Sequence, residues 1–95
     1  GVIKIIFTPG HTPGHQSVLI NLPKTGHMLL TGDACYTGDH WCDRCLPGLV
    51  ASASDAADSV AKLRKVAKEN DAKVVWGHDP VTWLDWKKAP MFYYD

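Results

Sequence analysis

The sequence has no excess of charge and no long hydrophobic run. Its 10 Lys and Arg residues balance its 10 Asp and Glu residues, which leaves a net charge of zero. Nucleic acids and anionic membranes bind clustered positive charge, so the composition predicts neither partner. The longest apolar runs, such as Val18-Leu19-Ile20, fall far short of the ~20 residues that span a bilayer. The sequence therefore predicts one globular unit at most.

Cysteine is scarce, and the chain has no initial methionine. Three cysteines cannot all pair within one chain, so we expect a reducing compartment, the cytoplasm, rather than a disulfide framework. The chain starts at Gly1, and the strand-like segment VIKIIF follows at once. We therefore expect residues 1–95 to be a single partial domain.

Hydrophobic patterning predicts the order β-β-β-loop-α-β-α. Three β-type segments end at turns, and they cover residues 2–7, 16–22 and 27–31. Residues 34–49 show no period and are predicted to be a long loop. Apolar residues at helical spacing predict a helix over 52–70, followed by a short strand over 72–76 and a proline-led helical turn. This order favours an α/β or α+β layer arrangement in which the helix covers one face of the sheet.

Three predicted strands end in the same way, with a glycine followed by a side chain that can bind metal. The pairs are Gly10-His11, Gly32-Asp33 and Gly77-His78. Two imidazoles and one carboxylate are ligand types that suit zinc or iron. Each pair alone is typical of an ordinary surface turn. The three together favour one convergent metal site, although spacing alone leaves the surface-turn interpretation open.

The segment TPGHTPGH, residues 8–15, resembles the third metal-ligand motif of the metallo-β-lactamase-fold hydrolases. The wider match is to the N-acyl homoserine lactone lactonases, which are quorum-quenching enzymes. It runs through TPGHTPGHQSVLI, LLTGDACYT and VVWGHDP in the order of that family, and so covers most of the chain. The resemblance implies metal-dependent hydrolysis of the lactone ring of an acylated homoserine lactone, a small-molecule substrate.

The resemblance also implies a role for five side chains. It makes His11 a ligand of one metal ion, Asp33 the carboxylate that bridges two, and His78 a ligand of the second. His15 is expected to support a ligand by hydrogen bonding rather than to bind metal itself. Tyr36 is expected to donate a hydrogen bond to the substrate carbonyl, with Asp33 as the other catalytic residue. The implied cofactor is a pair of divalent ions, most simply Zn²⁺.

The sequence lacks the H-x-H-x-D-H motif that supplies the other ligands in this family. The resemblance therefore implies the C-terminal half of a four-layered αβ/βα sandwich. We expect the isolated chain to bind metal weakly and to have no hydrolase activity, and the full-length parent to have both.

Several alternatives remain open at this stage. A hydrolase of the same fold could act on thioesters, phosphodiesters or other esters. A non-catalytic metal-binding or interaction fragment is the alternative outside the enzymes. Cys35, His40, Cys42 and Cys45 could form a small zinc knuckle or a redox pair, although Cys35 lies next to the expected active site. The aromatic residues near the end predict packing against the missing half, with an aromatic substrate pocket or a homodimer interface as alternatives: Trp83, Trp86, Phe92, Tyr93 and Tyr94.

Overall fold

A computed structural model describes residues 2–42, 50–88 and 91 of the chain. The elements in these residues, in chain order, are the strands and helices β1 (Val2–Phe7), β2 (Gln16–Leu22), β3 (Gly26–Gly32), α1 (Gly38–Trp41), α2 (Ala53–Asn70), β4 (Lys73–Trp76) and α3 (Pro80–Trp83). Among the described residues, no helix is long and apolar enough to cross a membrane.

The strands form one sheet in the order β1-β2-β3-β4. β1 pairs with β2 and β2 with β3 in antiparallel fashion, as in a meander. β4 lies parallel to β3, and α2 provides the crossover that a parallel pair requires. The parallel pairing brings the ends of β3 and β4 to the same edge of the sheet, where Gly32 lies opposite Trp76.

The core lies between the sheet and α2. Ile6, Leu19 and Leu29 come from three neighbouring strands, and Leu63 of α2 packs against them with no exposed surface. Side chains alternate across a strand, so Ile5 of β1 points to the opposite sheet face, where it is 55% exposed. Within the described residues, the sheet is therefore covered by α2 on one face, as the sequence predicts.

The predicted helix is confirmed almost to the residue. The Ser52 hydroxyl caps α2 by accepting the Asp55 N–H at 3.2 Å, and Asp71 ends the helix in the left-handed region with φ 49°. The predicted strands agree with the observed ones to within one residue at each end, and the mixed α/β class is confirmed.

One prediction about the fold is wrong in part. The segment 34–49 was expected to be a loop, whereas residues Gly38–Trp41 form α1. The Thr37 hydroxyl accepts the His40 N–H, and this cap stabilises a helix of one turn, too short to show a hydrophobic period. Residues 43–49 of that segment lie outside the described residues.

Candidate metal centre

His11 lies in a loop that is fixed to the start of α2. The carbonyl of Gly10 accepts the N–H groups of Ala51 at 2.7 Å and Ser52 at 3.0 Å. Gly10 has φ 140°, and a Cβ atom there would collide with the backbone of Ala56. Only glycine satisfies both the backbone angle and the close approach. The loop therefore fixes the position of His11 relative to the start of α2.

Asp33 and His78 follow two strand ends that touch each other. The Gly77 Cβ position is occupied by the carbonyl of Gly32, so the two chains pass closer than any side chain would allow. Two backbone hydrogen bonds join the same regions, from Gly77 N–H to Cys35 O at 3.1 Å and from His78 N–H to Tyr36 O at 3.0 Å. The parallel pairing of β3 and β4 thus sets Asp33 beside His78.

The Asp33 carboxylate lies between two imidazoles. His78 Nε2 is 2.8 Å from Asp33 Oδ1, and His11 Nε2 is 3.4 Å from Asp33 Oδ2. Each histidine therefore faces a different oxygen of one carboxylate. The three predicted ligands, which lie far apart in sequence, are brought together at one sheet edge. The Asp33 side chain is 41% exposed, so this edge is open.

The donor set suits divalent transition metals in type, because neutral imidazole and carboxylate are the common ligands of zinc and iron. Within residues 2–42, 50–88 and 91, no group of three or more His, Cys, Asp and Glu side chains is arranged to hold a metal ion by itself. His78 Nε2 and Asp33 Oδ1 lie within hydrogen-bond distance of each other. The residues present therefore match a metal site in the chemical type of their side chains.

Tyr36 closes one side of this arrangement. Its hydroxyl is 3.3 Å from His11 Nδ1, and the centroid of its ring is 4.4 Å from that of His78. The Tyr36 N–H donates to Nδ1 of His40, which is 2% exposed. The phenol is thus held against both histidines that face Asp33.

His15 does not face the carboxylate of Asp33. It lies behind it, where its Nε2 accepts the Asp33 backbone N–H at 3.0 Å. An accepting Nε2 carries no proton, so the ring proton is on Nδ1, which lies 2.9 Å from Thr8 Oγ1. His15 therefore has a fixed tautomer and contacts the backbone that carries Asp33.

A chain of buried hydroxyls continues from His15 into the core. Ser17 Oγ donates to the carbonyl of Thr31 at 3.0 Å and lies 2.9 Å from Thr8 Oγ1. Because Ser17 has only one proton to donate, Thr8 donates to Ser17 and accepts from His15. All three hydroxyl residues are buried, and the chain leaves none of their hydroxyl protons unpaired. The sequence analysis missed Thr8, Ser17 and Thr31, although polar residues at core positions of strands are a signal of such a network.

Asp79 is a further residue that the sequence analysis did not single out. It follows His78, and its carboxylate accepts the N–H of Gly38 at 3.1 Å and those of Val81 and Thr82 at 3.0 and 3.2 Å. These hydrogen bonds lower the pKa of Asp79 below its usual range, and the bond from Gly38 has the largest effect. In the sequence, the Asp-Pro pair ahead of the predicted helical turn is the signal that could have identified Asp79 as a cap.

The described residues do not support a zinc knuckle in the cysteine segment. Cys35 is fully buried and its Sγ lies 3.4 Å from Thr37 O, whereas Cys42 is exposed. The Nδ1 atom of His40 accepts the backbone N–H of Tyr36. Cys45 lies outside the described residues.

The terminal aromatic residues are described only in part. Trp83 and Trp86 line a cavity of about 230 Å³ that opens beside His78, and Trp83 is 57% exposed. Phe92, Tyr93 and Tyr94 lie outside the described residues.

Curated relatives resemble the chain over nearly its whole length. The N-acyl homoserine lactonase AttM of Rhizobium radiobacter is 56% identical over 93 residues, which are 98% of this chain and 35% of that protein. The N-acyl homoserine lactonase of Bacillus cereus is 39% identical over 77 residues, 81% of this chain and 30% of that protein. The chain thus spans about a third of the length of these relatives.

Solved structures match the fold. An N-acyl homoserine lactone hydrolase with the product N-hexanoyl-L-homoserine bound at its catalytic metal centre superposes with a TM-score of 0.88 and 32% identity. The match covers 96% of this chain and 36% of that one. A quorum-quenching N-acyl homoserine lactone lactonase matches with the same TM-score and identity and covers 38% of its chain.

The family match extends over residues 1–78 and includes His11, Asp33 and His78. The name of this family refers to metal, which agrees with the imidazole and carboxylate side chains at the sheet edge. The chain belongs to the metallo-beta-lactamase superfamily.

Proposed function

We propose that the chain is part of a longer metal-dependent hydrolase, called the parent protein below, which opens the lactone ring of N-acyl homoserine lactones. The observation that carries the proposal is the placement of Asp33 between His11 and His78, with Tyr36 against both histidines. The two relatives supply the substrate class, since both are N-acyl homoserine lactonases.

In the parent protein, His11 and His78 are proposed to bind different ions of a pair of divalent cations, Zn²⁺ in the simplest case, with Asp33 bridging the two. When bound, such cations acidify a water molecule and polarise the carbonyl group. The two oxygens of Asp33 already face different histidines, which is the arrangement that a bridging carboxylate needs. The remaining ligands would come from outside this chain.

Tyr36 is proposed to donate to the carbonyl oxygen of the lactone. A histidine that binds metal through Nε2 carries its proton on Nδ1, and the Nδ1 atom of His11 lies 3.3 Å from the Tyr36 hydroxyl. His11 then donates to the phenol oxygen, which leaves the phenol proton for the substrate. As water adds to the ring carbonyl, negative charge develops on that oxygen, and a donor fixed in advance stabilises it.

The reaction balances with water alone. A water oxygen bonds to the ring carbonyl carbon, the bond from that carbon to the ring oxygen breaks, and the ring oxygen leaves as an alcohol after taking up a proton. The product is an N-acyl homoserine. The isolated 95-residue chain is proposed to bind metal weakly and to have no activity, because it supplies only part of the ligands.

The test is a substrate panel with the purified parent protein, loaded with zinc. We expect ring opening of N-acyl homoserine lactones and at least tenfold lower kcat/KM for thioesters and simple esters of similar acyl length. The Tyr36→Phe variant should lose about 10²-fold in kcat, the usual cost of one oxyanion donor. A parent that cleaves thioesters and spares lactones would overturn the proposed substrate. A parent without any hydrolase activity would favour the non-catalytic alternative.

The cytoplasmic location and the homodimer stay predictions. The location depends on the odd number of cysteines, and the dimer on aromatic side chains of which only some are described.

A further inference from the structure

The carboxylate of Asp79 joins two segments of the site. Its Oδ1 atom accepts the N–H groups of Val81 and Thr82 and so caps α3. Its Oδ2 atom accepts the N–H of Gly38, which is the first residue of α1 and lies 41 positions away in the sequence. A cap of α3 needs only one oxygen, so the second contact requires a separate explanation.

The contact with Gly38 is the third link between the same two segments. The other two are the backbone bonds from Gly77 to Cys35 and from His78 to Tyr36. Those two bonds use main-chain atoms alone and involve no side-chain donor or acceptor. The third link depends on a side chain with two acceptor oxygens, which makes Asp79 the specific part of this junction.

Tyr36 lies within the segment that these links hold. Its carbonyl accepts from His78, its N–H donates to His40, and Gly38, two residues further on, is bound by Asp79. A shift of the Tyr36 backbone would move the phenol with it. The distance of 3.3 Å between the Tyr36 hydroxyl and His11 Nδ1 therefore depends on the position of this backbone. Without the Asp79 contact, the backbone after Tyr36 keeps the Thr37 cap of α1 and the contact of Cys35 Sγ with Thr37 O, but the N–H of Gly38 loses its acceptor.

We propose that Asp79 is a positioning residue that fixes the phenol of Tyr36 against His11 and His78 by holding the N–H of Gly38; the inference rests on the proposed function. Asp79 touches neither Asp33 nor the imidazole of His11 in any described contact, and it acts through Tyr36.

The variants Asp79→Asn and Asp79→Ser separate this role from the cap. Asn and Ser are both good caps, so α3 keeps its cap in either variant. Asn has only one acceptor oxygen, and Ser is too short to reach Gly38. In the zinc-loaded parent protein we expect kcat for lactone opening to fall about tenfold, with KM changed less than about twofold, because a misplacement near 1 Å is costly in catalysis.

Metal content and the thermal midpoint are measured alongside the kinetics. We expect the same metal content per chain as in the wild type, because the main-chain links to His78 remain. Loss of metal would overturn the proposal, since Asp79 would then act on the ligands. The control is Asp85→Asn, the same change of charge at an exposed carboxylate of the same segment, and it should leave kcat unchanged.

The double variant Tyr36→Phe with Asp79→Asn gives the decisive comparison. If Asp79 acts through Tyr36, the double variant is no slower than Tyr36→Phe alone. Additive losses, an unchanged kcat in both Asp79 variants, or a Tyr36→Phe variant as fast as the wild type would each overturn the inference while lactone opening by the wild type stands. A wild-type parent that opens no lactone would instead remove the proposed function, and this inference with it.

Discussion

His15 and Asp33 are joined by a hydrogen bond of 3.0 Å from the backbone N–H of Asp33 to the Nε2 atom of His15. The lone pair of Nε2 accepts this hydrogen bond and is therefore not directed at a cation. Its other ring nitrogen is occupied by Thr8. His15 thus connects the backbone that carries Asp33 to the buried hydroxyls of the core.

Replacement of His15 should weaken metal binding without removing a ligand. His15→Asn is too short to accept the Asp33 N–H, so the backbone under the carboxylate loses its support. We expect metal affinity of the parent protein to fall about 10- to 100-fold, the range for groups that orient ligands. Competition with a chromophoric chelator measures the affinity. His27→Asn, on β3 away from the site, serves as the control, and equal affinities for the two variants would argue against the role of His15.

Thr8→Val should destabilise the protein by about 1–2 kcal/mol. The substitution keeps the shape of a side chain with no exposed surface but removes the acceptor for His15 and the donor to Ser17. Urea unfolding of the parent protein measures the difference. Thr12→Val changes an exposed threonine in the same turn and should cost less than about 0.5 kcal/mol. A Thr8→Val variant as stable as Thr12→Val would show that the network contributes nothing.

Gly77→Ala should displace His78. A Cβ atom at Gly77 would overlap the Gly32 carbonyl, so β3 and β4 must separate at the edge that carries Asp33 and His78. We expect a loss of about 1–3 kcal/mol in stability and a loss of metal. At Gly14 an added Cβ meets no atom within 4 Å, which makes Gly14→Ala the matched control. Normal metal content in Gly77→Ala would contradict the proposed role of this strand end.

The lowered pKa of Asp79 has a consequence for stability at acid pH. Its folded pKa lies below its unfolded value, so the stabilisation is present above the unfolded pKa and is lost as pH falls through the folded pKa. The unfolded value is about 3.9. We expect the wild type to have a higher thermal midpoint than Asp79→Asn at about pH 6 and the gap to shrink below about pH 4. A gap that stays constant or widens on acidification would contradict the ionised carboxylate.

The sequence was sufficient for the described elements other than α1 and for singling out the three strand-end residues, because strand length, turn glycines and helical period are local signals. Asp33 and His78 meet because β4 pairs parallel to β3, a relation that the crossover helix predicts. His11 reaches the same edge because β1, two antiparallel pairings away, runs in the same direction as β3. Cap signals at Thr37 and Asp79 were present, but a one-turn helix carries no period.

The contacts beneath the site could not be predicted from the sequence. The bond from Asp33 to His15 depends on the φ of 57° at Gly32 and on the bulge between Leu30 and Gly32, neither of which a residue pattern specifies. The link from Asp79 to Gly38 spans 41 positions and depends on how two short helices lie against each other. Such relations follow from packing rather than from local preference.

Metal content of the parent protein with and without Asp33 tests the central claim most directly. We expect two zinc ions per chain in the wild type, measured by plasma emission spectrometry after dialysis. In Asp33→Ala, which removes the carboxylate between His11 and His78, we expect at most one. Equal metal content in the two proteins would contradict the claim that these three side chains form part of one metal centre.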